Sequence, residues 1–316
     1  MNELMIEAEN LTKYYGDYLA VESLNFQVRK GEIVGFLGPN GSGKTTTMRM
    51  LTGYMPPSSG TAKIAGYNSL SESLDARRQI GYLPETVPLY VDMPVAEYLQ
   101  FMGSLRQMDK NRLRRRIDEV IQIVRIEEYR YTLIGKLSKG YRQRVGLAQA
   151  IIHEPEVLIL DEPTIGIDPI QVVETRELIK ELGRDHTVLL STHILPEVSM
   201  LCQKVFIINE GLLVAEGSQA DLAQRLQLSD RVEADIKGPQ GEIASALGKI
   251  QGVIDINVRH TGEEQLFTVE SQPNSQHGEA IAKVVVEKGW GLRRLTPISM
   301  GLEEVFLRLT ASQEEP

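Results

Sequence analysis

One stretch constrains the chain more than any other: Gly38-Pro39-Asn40-Gly41-Ser42-Gly43-Lys44-Thr45-Thr46. It fits G-x-x-x-x-G-K-[ST] without a gap, the pattern of a loop that cradles the phosphates of a nucleoside triphosphate. The flanks suit that role. Glu32 to Leu37 is a short apolar run that predicts a buried strand. Thr46 to Leu51 predicts the first turns of a helix that stops at Gly53. The residue types follow from the chemistry. Glycines let the backbone wrap closely round phosphate oxygens. The freed N–H groups and the positive end of the helix then face the anion. Lys44 adds a point charge to the β- and γ-phosphates, and the Thr45 hydroxyl is placed to ligate Mg²⁺.

A length of 316 residues predicts about two domains with ample core. The net charge of −9 argues against nucleic acid as a partner, because duplex binding wants a basic face. Cys202 stands alone, so no internal disulfide is available. That fits a reducing compartment, and the thiol reads as inert apolar filler. No basic-plus-apolar leader is seen, and no apolar run approaches the ~20 residues that span a bilayer. A membrane role therefore calls for another chain.

Residues 2 to 30 read as two strands around a turn. Tyr14, Tyr15 and Tyr18 fit strand-edge aromatics, and one of them could stack on a purine. Thr61 to Tyr67 reads as one short strand, followed by a polar stretch, and Ile80 to Glu85 as a strand ending in an exposed Pro-Glu turn. Residues 86 to 152 read as a helical subdomain. Val95 to Leu105 is one helix; Leu113, Ile117, Val120, Ile121 and Val124 mark a second. Arg112, Arg114, Arg115 and Arg116 are expected on its solvated face. Leu137 to Arg144 precedes a third helix, with Ser138 as a candidate N-cap.

Val157 to Leu160 and Thr187 to Ser191 are continuous apolar runs, so strands buried on both faces. Pro169 to Leu182 lies between them as a helix. Lys204 to Ala215 reads as a hairpin. Residues 1–217 thus form one domain, 218–230 a connector, and 231–316 a smaller accessory domain. The accessory domain reads β-α-β-β-α-β, the order of a ferredoxin-like split unit. A last helix would carry Leu302, Val305, Phe306 and Leu309 on one stripe.

The chemistry narrows at Asp161-Glu162, which ends an apolar strand. Mg²⁺-dependent hydrolysis wants a first carboxylate for the metal and a second to take a proton from water. A turn or a helix cap explains an isolated acidic pair equally well. His193 adds a polar group at the end of a later buried strand. The strand ends of one parallel sheet share an edge, where ligands collect.

Taken together, these motifs resemble the ATP-binding cassette family over residues 4 to 217. Gly38 to Thr46 matches its Walker A loop. Leu137-Ser138-Lys139-Gly140-Tyr141 stands where its LSGGQ signature would be. Leu158 to Pro163 matches Walker B, Ile165-Gly166-Ile167-Asp168 the D-loop, and Ser191-Thr192-His193 the switch histidine. Two departures stand out. The signature reads Ser-Lys-Gly-Tyr rather than Ser-Gly-Gly-Gln, and the Q-loop position holds Glu85, which cannot donate a hydrogen bond when ionised.

The resemblance implies an α/β P-loop NTPase fold with a mixed sheet core and a helical subdomain, and ATP with Mg²⁺ as cofactors. It implies that Tyr15 stacks on adenine and that Thr45, Asp161 and Glu85 face the metal. It gives Glu162, His193 and Glu85 catalytic roles. It places Ser138 and Gly140 against the γ-phosphate of a second ATPase chain, either a second copy or a paralogue. Length, Ile80 to Glu85 and the tail Ser299 to Leu307 look like ABC-2 type exporter ATPases. Those work at the inner face of the cell membrane, on the cytoplasmic side, with a separate multi-span permease. Val87, Leu89, Tyr90 and Met93 fit either local core packing or the groove that receives such a permease. The alternative is a soluble cassette protein of translation or DNA maintenance. Against it stand the single cassette, the acidic charge and the cysteine-free gap between Glu85 and Ser138.

Overall fold

The computed structural model describes residues 3–226, 230–261, 264–272, 277–298, 304 and 306. The chain divides into two compact units, Met1–Gln219 and Ala220–Pro316. The first opens with β1 (Leu4–Tyr15), β2 (Tyr18–Arg29), β3 (Ile33–Leu37), α1 (Lys44–Leu51), β4 (Ser59–Ile64), β5 (Tyr67–Asn68), α2 (Ser73–Arg78) and β6 (Ile80–Leu83). Three helices follow: α3 (Val95–Leu105), α4 (Lys110–Ile123) and α5 (Lys139–Ile151). Then come β7 (Val157–Asp161), α6 (Pro169–Leu182), β8 (Thr187–Thr192), α7 (Leu195–Leu201), β9 (Lys204–Asn209) and β10 (Leu212–Gly217), and α8 (Gln219–Leu226) runs on from there.

A six-stranded sheet in the order β10-β9-β3-β8-β7-β6 is the backbone of this unit. Its strands are parallel except for β10, which pairs antiparallel with β9. The inner strands β3, β7 and β8 are covered on both sides, which is why they are continuously buried rather than alternating. Successive residues serve opposite cores. Leu158, Leu160, Val188 and Leu190 pack with Leu99, Val120, Val145 and Ile179 of the helices. Val157, Ile159, Leu189 and Phe206 pack with Met48 of α1 and with Ile6, Phe26 and Ile64. Those last three belong to an antiparallel sheet in the order β2-β1-β4-β5. Phe26 sits 4.9 Å and 5.6 Å, centroid to centroid, from Phe206 and Phe36.

Several local expectations need correction. The strand read over Thr61 to Tyr67 is broken into β4 and β5 by a two-residue turn. Ala65 and Gly66 both take positive φ (49° and 84°), the twist that closes a tight hairpin. The polar stretch after it contains α2. α7 was not read at all; it is too short to show periodicity, and its Pro196 lies in the first turn, where proline is tolerated. The third helix begins at Lys139, so the signature residues are its first turn rather than its approach. Arg116 leaves the solvated face of α4: its side chain is only 12% exposed, and it donates to the Ile151 carbonyl at 3.0 Å.

The second unit contains β11 (Asp230–Lys237), α9 (Gln240–Leu247), β12 (Val253–Thr261), β13 (Glu264–Ser271), α10 (His277–Glu287) and β14 (Gly291–Ile298). The sheet order β12-β13-β11-β14, antiparallel throughout, is the ferredoxin-like arrangement. Val232, Ala234, Ile236, Phe267 and Val269 pack with Ile243, Leu247, Ile281 and Val285 of the two helices. Of the expected last helix, Glu304 and Phe306 are helical; Leu302, Val305 and Leu309 lie outside the described residues.

Candidate nucleotide site

The parallel strands β3, β8, β7 and β6 end along one edge, and their chain reversals carry the polar residues singled out in the sequence. Gly38 to Gly43 joins β3 to α1. Gly43 has φ +102° and a β-carbon there would meet the Ala20 carbonyl at 2.6 Å, so only glycine fits. Gly38 donates its N–H to the Thr192 carbonyl at 3.3 Å, which ties the loop to the end of β8.

Lys44 is 6% exposed. Its Nζ donates to the Gly38 and Pro39 carbonyls at 2.9 and 3.1 Å and lies 3.4 Å from Glu162 Oε1. Glu162 Oε2 is 3.0 Å from His193 Nδ1. Glu162 also takes φ +49°, a conformation that costs a non-glycine residue of order 1–3 kcal/mol. Its N–H pays part of that back by reaching both the carbonyl and the hydroxyl of Ser191, at 3.2 and 3.1 Å. The strained backbone aims the carboxylate between the lysine and the histidine.

Asp161 is fully buried. Its Oδ1 accepts from Thr45 Oγ1 at 3.2 Å and from Ser191 Oγ at 2.5 Å, while Oδ2 has no partner. Burial pushes this carboxyl above the ordinary aspartate range. The two hydroxyls oppose the shift, and the negative charges of Glu162 and Glu85 add to it. Burial also pushes the Cys202 thiol up, helped by the Glu197 charge, so the thiol stays protonated and inert.

A pocket of about 400 Å³ opens over these groups, lined by Tyr15, Tyr18, Asn40, Gly41, Gly43, Lys44, Thr45, Thr46, Glu85 and Glu162, with Ala20 and Ile165. Gly38, Pro39 and Ser42 complete the loop behind that wall. Tyr15, 43% exposed, anchors its hydroxyl on Met55 Sδ at 3.2 Å, which fixes the ring at the pocket rim. Ser138 and Gly140 are not in this lining. Ser138 caps α5, accepting from the Tyr141 N–H at 3.4 Å, and the Gln171 side chain covers Gly140. The structure therefore unites Tyr15, Lys44, Thr45, Glu85 and Glu162 and keeps the signature apart. Sequence reasoning passed over Ala20 and Ile165 as wall, and Ser191 as the residue that holds the Asp161 carboxylate and the Glu162 N–H. A hydroxyl closing a buried apolar strand was the available signal for Ser191.

Comparison with known proteins gives the same assignment. The ABC transporter family model matches residues 21–165. A bacitracin transport ATP-binding protein of Bacillus licheniformis is 36% identical over 96% of this chain and 97% of its own length. A Nod factor export ATP-binding protein I of Ralstonia nicotianae is 32% identical over 98% of this chain and 94% of its own. Among solved structures, an ATP-binding subunit of an ABC transporter superposes with a TM-score of 0.64 at 31% identity, over 70% of this chain and 92% of that one. Among the described residues no helix is long and apolar enough to cross a membrane. Neither relative is named as a factor of translation or DNA maintenance, and the chain belongs to the ABC transporter family as one of its ATP-hydrolysing, ATP-binding subunits.

Proposed function

We propose that this subunit drives an ABC-2 type exporter from the cytoplasmic face of the membrane, paired with a second ATPase chain and a separate multi-span permease. The observation that carries the reading is the half-built pocket. The loop, Lys44, Thr45, Glu85 and Glu162 line one pocket, and Ser138 and Gly140 of the same chain do not. The direction of transport rests on the likeness to a protein named for export.

Lys44 and the amides of the loop bind the β- and γ-phosphates, and Tyr15 stacks on the adenine. Ser138 and Gly140 of the second chain close over the γ-phosphate. His193 holds the Glu162 carboxylate, which orients a water and takes its proton. The water oxygen bonds to the γ-phosphorus, the bond to the bridging oxygen breaks, and its electron pair leaves with ADP. Thr45, Asp161 and Glu85 fit Mg²⁺. Mg²⁺ is usually held by one or two protein oxygens together with phosphate oxygens and water. The orphaned Asp161 Oδ2 supports the same fit. The ion would supply neutralisation of charge on the phosphate oxygens.

The dock proposed for the permease is a second groove. A groove of about 440 Å³ runs between the end of α1, α2, β6 and the end of α3. Leu74 and Leu105 are exposed along it, and Arg77 and Arg106 have no carboxylate partner among the described residues. Of the segment Thr86 to Met93, Val87, Leu89 and Met93 are half-buried against the core; Tyr90 stays exposed against Phe101. An acidic, apolar-edged helix suits the groove. Mild-detergent purification of the chain from its host tests this: a multi-span membrane protein should accompany it, and Arg77→Glu should weaken the association. Recovery of the chain with no membrane protein would overturn the reading.

A further inference from the structure

Glu197 lies in α7, outside the pocket, and is 1% exposed. A carboxylate this deep needs partners, and it has them. Its Oε2 accepts from Thr192 Oγ1 at 2.8 Å. Its Oε1 accepts from Thr164 Oγ1 and, at 3.4 Å, from Arg176 Nη2. The two threonines flank the proposed reacting groups. Thr164 follows Glu162 by two residues, across Pro163. Thr192 directly precedes His193, accepts the Ile194 N–H on its hydroxyl at 3.0 Å, and holds Gly38 through its carbonyl.

We infer that Glu197 is a positioning residue for ATP hydrolysis: it clamps the turn after β7 to the turn after β8 and so fixes Glu162 against His193. The inference rests on the site proposed above. The chemistry selects a carboxylate. Two hydroxyls and a guanidinium all donate, and an ionised carboxylate is acceptor-only at both oxygens. A glutamine of the same shape would turn its NH₂ group towards one of the donors. The 3.0 Å contact between Glu162 and His193 spans two loops that are distant in sequence. The Ser191 bonds join Asp161 and Glu162 to β8, and Glu197 adds a second tie between Thr192, the last residue of β8, and Thr164, three residues past the end of β7. Arg176 extends the clamp to α6.

The test uses the purified full chain. Misplacement of a reacting group by about 1 Å costs up to about 100-fold in rate. Glu197→Gln and Thr192→Val should each lower kcat by roughly 10- to 100-fold. KM and the affinity for a fluorescent ATP analogue should stay within about threefold, because the phosphate loop is untouched. Thr192→Ser, which keeps the hydroxyl, should recover most of kcat. Glu162→Gln and thermal melting are measured alongside. Wild-type kcat in Glu197→Gln and Thr192→Val, with Glu162→Gln inactive, would overturn the positioning role while sparing the site. So would a parallel loss of melting temperature and nucleotide affinity without recovery in Thr192→Ser, since that marks a purely structural group. Turnover retained in Glu162→Gln would remove the site assignment itself, and the clamp with it.

Discussion

Replacing Asp161 by asparagine should stabilise the protein without nucleotide and cripple its response to Mg²⁺–ATP. Asp161 is fully buried, one oxygen serves two hydroxyls, and the other has no partner. A buried polar atom left unsatisfied costs about 1–3 kcal/mol, more when charged. Asparagine keeps the Oδ1 acceptor for Thr45 and Ser191 and removes the charge, though its NH₂ is then a neutral orphan. The net gain should be about 1–2 kcal/mol. For a domain of this size each kcal/mol moves Tm by roughly 2–4 °C, so the variant should melt about 2–8 °C higher.

Differential scanning calorimetry in chelator measures this, and a second scan in Mg²⁺–ATP should show the rise of the wild type largely missing in Asp161→Asn. The sign of the pH dependence follows from the raised pKa. A carboxyl whose folded pKa lies above its unfolded value favours folding at low pH and loses that contribution as pH rises through the folded value. The advantage of Asp161→Asn should therefore be present near neutrality and fade towards pH of about 4. Ser191→Ala, which removes a donor from the charged oxygen, should instead melt lower. If Asp161→Asn melts below the wild type in chelator at pH 7, the carboxylate is satisfied by something other than these groups and the reasoning fails.

Two further outcomes are expected. His153 is half-buried with Nε2 on the Ile80 carbonyl at 3.0 Å, and desolvation first, then the charges of Arg106 and Arg116, lower its pKa to about 4. Its folded pKa lies below its unfolded one, so its contribution is full above pH of about 6.5 and falls away as pH drops through about 4, by up to about 3 kcal/mol; His153→Gln should flatten that acid arm in urea titrations across the interval, and an unchanged arm would refute the assignment. Because Ser138 and Gly140 do not line the pocket of their own chain, ATPase rate should rise faster than linearly with protein concentration until dimers saturate; strict proportionality in a proven monomer would contradict the shared site.

The sequence was most legible where backbone chemistry leaves one solution. The phosphate loop shows itself because Gly43 must take φ +102° beneath a carbonyl, and no other residue type fits. The strands β3, β7 and β8 were legible because burial on both faces demands unbroken apolar runs. The accessory domain was legible because its alternation of period-two and helical segments is regular. What stayed hidden was short or relational. α2 and α7 are too brief to show a period. The Ala65–Gly66 turn is carried by an alanine at φ +49°, which no composition rule announces. Glu197 looks like any surface glutamate of a short helix until the fold buries it between two threonines.

The signature shows the same limit more sharply. Its departures, Lys139 and Tyr141, place larger side chains where the family pattern has glycine and glutamine. In the fold both side chains turn back onto their own chain. Tyr141 stacks on Tyr129 at 4.3 Å between centroids, and the Lys139 amine lies over Gly166, where a β-carbon would come within 2.3 Å of it. Gly166 has φ +68°, so the D-loop keeps there both the conformation and the space that glycine provides. The bulk of the departures is thus absorbed within the subunit, and Ser138 remains free to act as a helix cap with its hydroxyl at the start of α5. The fold thus sets the Lys139 amine beside a glycine whose positive φ already favours that residue.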